Sequence, residues 1–176
     1  PAALPTTPPA ALPTTTPPPA EGFTPMFTSD FVEAAWDVDR SKEEVRFTIR
    51  TSDSDYVAFG ISDDRRMRNS DIITGFLTES GVQVQDRYSA AYTEPRIDAS
   101  SQVIAPTGRR IGNIVEISFS IPCQSSDTSD IAIHGDHYFL FASGNLFDGQ
   151  PLYHGYRRGV ATEERINIDC LAPPTT

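Results

Sequence analysis

Residues 44–50 read EVRFTIR, which puts Val45, Phe47 and Ile49 on one side of an extended chain and Glu44, Arg46, Thr48 and Arg50 on the other. A period of two marks a half-buried strand, because successive side chains of a strand point to opposite faces. The same alternation returns in VQVQDRY (82–88) and NIVEISFSI (113–121), the second ending at Pro122. Residues 31–38, which carry the only tryptophan, and the β-rich runs at 56–61 and 71–78 read as further strands. The run HYFLFA (137–142) is continuously apolar and predicts a strand buried on both faces. Residues 102–110 form a weak strand interrupted by Pro106, and 152–156 and 165–168 read as short closing strands. Residues 23–27 are irregular, and 90–101 form a polar loop containing Pro95. No window of helical length has a 3.6-residue period. Eight or more short strands separated by turn signals predict an all-β, antiparallel sandwich of immunoglobulin-like type.

The ends of the chain differ from its middle. Residues 1–19 contain only Pro, Ala, Leu and Thr and nearly repeat themselves, PAALPTT followed by PAALPTTT. Such a tract has no hydrophobic face to bury and favours extended polyproline geometry. The chain divides into a Pro/Thr-rich stalk or linker (1–21), one sandwich domain (22–171) and the start of a second linker (172–176). Thr6, Thr7, Thr14, Thr15, Thr16, Thr175 and Thr176 are candidates for O-linked glycans, and the sequence holds no N-x-S/T sequon. It also lacks an initiator methionine and a signal peptide, as expected of a mature chain or a part excised from one.

A net charge of −10 argues against nucleic acid and anionic membrane surfaces, both of which select for Lys and Arg. No apolar run approaches the ~20 residues needed to span a bilayer. The two cysteines, Cys123 and Cys170, each end a strand-like segment, and with the Pro/Thr tracts they point to one disulfide and an extracellular or cell-surface location.

Motifs for catalysis are missing. There is no G-x-S-x-G, and the cysteines read as structural. His134 and His137 lack a second ligand pair for zinc and read as surface residues. Asp53, Asp55, Asp63, Asp64 and Asp71 lack EF-hand spacing and read as solvated loop charge rather than a calcium site. The chain is therefore expected to be a module without a catalytic site of its own.

Two residues stand out against that background. Met67 lies in a charged loop, SDDRRMRNS (62–70), between two β-rich runs, where a thioether either folds back to plug the core or uses its sulfur. His154 follows a Gly/Asn-rich loop after the 137–142 run. Methionine and imidazole together are an axial pair for low-spin haem iron, but two residues this far apart are not shown by spacing to meet.

The chain from about 31 to 170 resembles the DOMON family of β-sandwich modules. The resemblance is carried by Trp36, by YVAFGISDDRRMRNSDIITGF (56–76), by Asp86-Arg87-Tyr88, by ISFS (117–120) and by YFLFASGNLFDGQPLYH (138–154). Haem-binding members of that family are similar to the cytochrome domain of cellobiose dehydrogenase and to ferric-chelate-reductase-like ectodomains. The resemblance implies haem b held by Met67 and His154, one-electron transfer to a redox partner, and a pocket built from aromatics among Phe59, Phe76, Tyr138, Phe141 and Tyr153. Arg65 and Arg66 depart from the smaller residues expected before that methionine, and either pair with haem propionates or are simply solvated. Two alternatives accompany this reading. One is a structural subunit of an O-glycosylated extracellular filament or multidomain chain, with or without haem, joined to its neighbours through the Pro/Thr-rich segments. The other is a carbohydrate-binding sandwich.

Overall fold

A computed structural model of the chain describes residues 23–128, 130–160 and 164–171. The Pro/Thr-rich segments, with all seven candidate glycosylation threonines, lie outside the described residues. The first of two large sheets contains β1 (Phe27–Thr28), β2 (Val32–Asp39), β3 (Glu44–Ser52), β8 (Ile104–Ile111) and β9 (Ile114–Pro122). The second contains β4 (Tyr56–Ser62), β5 (Ser70–Thr78), β6 (Gly81–Ser89), β7 (Arg96–Ile97), β10 (Gly135–Gly144), β13 (Arg158–Val160) and β14 (Ile166–Ile168). A two-residue ribbon pairs β11 (Leu146–Phe147) with β12 (Gln150–Pro151). The first sheet runs β1-β2-β3-β9-β8, and the second β13-β10-β4-β5-β6-β7 with β14 also on β10. Every pairing is antiparallel. The architecture is the all-β sandwich that the alternation predicts.

The apolar set of β3 fills the space between the sheets. Phe47 is fully buried and its ring lies 4.4 Å from that of Phe59 and 5.7 Å from those of Phe119 and Phe139. Trp36 closes one side of this group, edge-on to Phe139 at 5.2 Å. Tilted and T-shaped contacts suit aromatic quadrupoles and add to the burial of apolar area.

The outward face of the same sheet is polar. Glu116 receives Arg50 Nε at 2.7 Å on one carboxylate oxygen and Arg109 Nε at 2.7 Å on the other. Burial pushes the Glu116 carboxyl up, but the two guanidiniums outweigh it and hold the group below the usual glutamate range. A carboxylate lowered in this way stabilises the fold above its ordinary pKa of 4.5, and the contribution is lost as pH falls. Glu116→Gln is therefore expected to lower the urea midpoint at pH 7, with the difference from wild type shrinking at pH 3.5.

Cys123, just after β9, and Cys170, just after β14, form a disulfide with Cα atoms 5.9 Å apart. Both are fully buried, and the bond ties the first sheet to the second.

Three local readings change. β10 is not buried on both faces: His137, Phe139 and Phe141 are buried while Tyr138, Leu140 and Ala142 are half-buried, because that second face lines a cavity. Residues 152–156 are not a strand, since their polar groups are engaged by a side-chain contact and a turn described below. Residues 27–28, 96–97 (within the segment read as a loop) and 158–160, not foreseen as strands, pair with β2, β6 and β10 respectively.

Candidate functional site

The loop carrying Met67 is held by the serines at its two ends. Ser62 Oγ donates to the Arg66 carbonyl at 2.8 Å and accepts from the Arg66 N–H at 3.2 Å. Ser70 Oγ donates to the same carbonyl from the other side. Both serines are fully buried. Asp64 adds a local turn by accepting the Arg66 N–H at 3.0 Å. Arg65 and Asn69 take left-handed backbone (φ 67° and 56°), which helps the seven residues 63–69 turn the chain back from β4 into β5. Met67 is half-buried and is not part of the core cluster, so it is not a core plug.

His154 is held by the opposite rim. Tyr56, buried on β4, donates its hydroxyl to the Leu152 carbonyl at 2.7 Å, and Leu152 N–H donates to the Asn145 carbonyl at 2.9 Å. Burial pushes the Tyr56 phenol up to about 12, so it remains a donor across the working range. A turn then runs from His154 to Arg157, whose N–H donates to the His154 carbonyl at 3.0 Å, with Gly155 supplying the left-handed step at φ 58°. Arg157 anchors this turn by donating to Ser143 Oγ at 3.0 Å and the Ser52 carbonyl at 2.6 Å. The His154 Nδ1 lies 3.0 Å from the Gly155 carbonyl. A carbonyl only accepts, so Nδ1 carries the proton and Nε2 keeps its lone pair. Burial holds the imidazole pKa below its ordinary value, the Gly155 carbonyl opposes that shift, and Arg158 adds to it.

Met67 and His154 line one cavity of about 740 Å³ on the outer face of the second sheet. That size lies within the range of cofactor pockets. Its floor comes from alternate residues of three neighbouring strands: Tyr56, Ala58 and Gly60 on β4, Ile72 and Thr74 on β5, and Leu140 and Ala142 on β10. At Gly60 a Cβ would sit 2.7 Å from Ile72 Cδ1 and 3.1 Å from Leu140 Cβ, so the glycine keeps the floor flat. Arg65, Arg66, Arg87 and Arg158 also line the cavity against one acidic residue, Glu94, which pairs with Arg87 at 3.1 Å. The surroundings are thus cationic in a strongly acidic chain.

Of the aromatics proposed for this pocket, Tyr153 lines it, 78% exposed. Phe59 and Phe141 border it, although their rings contact one another at 5.7 Å within the core cluster. Phe76 and Tyr138 do not line it: Phe76 is buried, and Tyr138 stacks beneath Arg65 and Arg165. The sequence reading missed Ala58, Gly60, Ile72, Thr74, Leu140 and Ala142. A signal was present, because Tyr-x-Ala-x-Gly at 56–60 puts small residues on the face opposite Val57, Phe59 and Ile61.

Other side chains also lie elsewhere than expected. His137 is not a surface residue: it is buried on the inner face of β10, with Nδ1 2.9 Å from Asp63 Oδ1. Asp53, Asp63 and Asp64 are exposed and Asp55 half-buried, but Asp71 is buried at 1% exposure rather than solvated.

The family model for the DOMON domain matches residues 29–144. The chain belongs to the DOMON family. That match contains Met67 and stops before His154. A Danio rerio protein named "Putative ferric-chelate reductase 1" is 25% identical over 128 residues, covering 72% of this chain and 22% of its own length. This DOMON chain thus spans about a fifth of that relative. Among solved structures, the cytochrome domain of Myriococcum thermophilum cellobiose dehydrogenase superposes with a TM-score of 0.58 at 16% identity, covering 81% of this chain and 78% of that one. The cytochrome b domain of pyranose dehydrogenase from Coprinopsis cinerea gives 0.56 at 15% identity, covering 73% of each. At these identities the likeness shows the DOMON fold. Among the described residues no helix is long and apolar enough to cross a membrane.

Proposed function

We propose that this DOMON domain is a b-type cytochrome module, with haem b held between Met67 and His154. The observation that carries the reading is that the two residues, 87 positions apart by number (154 − 67), line the same cavity. The donor set fits the group: a thioether and a neutral imidazole with a free Nε2 lone pair suit low-spin iron of raised potential. The apolar floor with its glycine accepts a flat, largely apolar ring system, and Arg65, Arg66 and Arg158 supply charge for carboxylates at its edge. When bound, haem supplies reversible one-electron chemistry. The protein's own part is to fix the two ligands and exclude water from the floor. Ser62 and Ser70 set the Met67 loop, while Tyr56 and Arg157 set the His154 turn.

The domain therefore exchanges single electrons with a redox partner rather than transforming a substrate. The disulfide supports an extracellular or cell-surface location, because such bonds persist in oxidising compartments.

The test is an absorption spectrum of the native protein, oxidised and then reduced with dithionite. A sharp Soret band with split α and β bands on reduction is expected, and a featureless spectrum from native material would end the proposal. In Gly60→Leu the new side chain would occupy the cavity floor. Haem recovered per mole of protein is expected to fall several-fold, with far-UV circular dichroism unchanged.

A further inference from the structure

We propose a calcium site, separate from the haem cavity, formed by Asp71, Asp86 and Asp130. Asp71 begins β5 and Asp86 lies on β6, where register sets Ile73 opposite Asp86 and Asp71 opposite Tyr88. The two aspartates are therefore diagonal neighbours on the inner face of the second sheet. Asp130 reaches them from the segment between Cys123 and β10. One carboxylate oxygen from each of the three lies within 4.8 Å of the others. Oxygens on opposite sides of a Ca²⁺ ion, each at 2.3–2.6 Å, are separated by roughly 5 Å, so one ion can touch all three.

Acidic residues gathered at a surface would mean little, but these are not at the surface. Asp71 and Asp86 are 1% and 2% exposed. Each of the three has one oxygen that accepts from a donor outside the cluster and one buried oxygen that, among the described residues, does not. Asp71 Oδ2 accepts from Gln102 Nε2 at 2.6 Å, Asp86 Oδ2 from the Gln102 N–H at 2.7 Å, and Asp130 Oδ2 from Ser125 Oγ at 2.6 Å. Among the described residues, no donor outside the carboxylate cluster reaches their Oδ1 atoms or Oδ2 of the adjacent Asp98. Outer contacts that orient one oxygen and leave the other free are the arrangement of a ligand set.

Among the described residues no Lys or Arg forms an ion pair with any of these four carboxylates. An all-oxygen, multiply anionic set selects a hard cation. Ca²⁺ tolerates irregular geometry and 6–8 oxygens, whereas Mg²⁺ demands a tight octahedron. The half-buried Asp98 and Asp130 leave a way in. Without a cation, burial pushes the Asp71 and Asp86 carboxyls well above the usual range; the charges of Asp86, Asp130 and Asp98 raise Asp71 further, and those of Asp130 and Asp98 raise Asp86, against the hydrogen bond it shares with Asp71. The folded state then keeps protons that the unfolded state has lost, so ion-free protein loses stability as pH rises from the ordinary carboxylate range towards neutrality. Asp127 adds to the charge around Asp98 and Asp130.

The experiment uses the full chain, stripped with EGTA, at pH 7.5. Its melting midpoint is expected to rise with the logarithm of CaCl₂ concentration and to fall again on adding EGTA. Calorimetric titration with CaCl₂ is expected to give one site per chain. Asp130→Asn, on a half-buried loop, keeps the fold and is expected to weaken that affinity at least tenfold. A midpoint indifferent to millimolar CaCl₂, yet rising on acidification, would overturn the proposal and leave a carboxyl cluster held by protons. An equal response to MgCl₂ would overturn the assignment to calcium. Because the readouts are ion binding and melting, the outcome is independent of the haem reading.

Discussion

Under the proposed ligation, His154→Ala is expected to abolish the split α and β bands of the reduced protein, and Met67→Ala to turn a six-coordinate low-spin spectrum into a five-coordinate high-spin one. The two effects differ because the two residues are held differently. His154 offers one lone pair, on Nε2, since Nδ1 is committed to the Gly155 carbonyl, and among the described residues no second histidine lines the cavity. Its loss removes the stronger ligand, so most of the cofactor is expected to be lost on purification. The Met67 loop is fixed through the Arg66 carbonyl by Ser62 and Ser70, not by the thioether. Truncating Met67 leaves the loop in place with an open position on the metal, which exogenous imidazole is expected to fill and so restore a low-spin spectrum. Met67→His is expected to retain low-spin haem at a lower potential, because the thioether is what raises it. Unchanged spectra in both alanine variants would refute the assignment of these two ligands.

Removing the disulfide in a Cys123→Ala/Cys170→Ala variant is expected to cost about 4 kcal/mol of unfolding free energy, measured by urea denaturation. The bond joins residues 47 apart in sequence, and loop-closure entropy for a loop of that length gives this magnitude. Both sulfurs sit in fully buried positions, so the double alanine leaves no unpaired thiol. The closed loop contains β10, one wall of the cavity, and the turn that presents His154. Reduction is therefore expected to loosen the cavity as well as the fold, and haem release on warming should be faster in the reduced protein. A loss of less than 1 kcal/mol would mean that the paired β3 and β9 and the aromatic cluster already restrain the unfolded chain without the bond.

The sheets were legible because strand pattern is local. Val45, Phe47 and Ile49 alternate in the sequence and are all buried in the core, and the β-rich runs on either side of the Met67 loop became β4 and β5. Where local pattern misled, an environment from another part of the chain was responsible. HYFLFA read as buried on both faces because Leu140 and Ala142 are apolar, but their apolarity serves a cavity wall. His137 looked like a surface histidine until β10 turned it inward against Asp63.

Sequence alone determined the all-β class, the two cysteines and the unusual thioether in a charged loop, since each depends on residues adjacent in the chain. Only the tertiary structure decided that Met67 and His154 share a cavity, that Cys123 meets Cys170, and that Asp71, Asp86 and Asp130 converge. Each of those meetings joins residues on different strands or loops, and it is strand register and sheet order that bring them together. Register is fixed by the burial of whole faces, a cooperative property of the folded sheet that no short stretch of sequence carries.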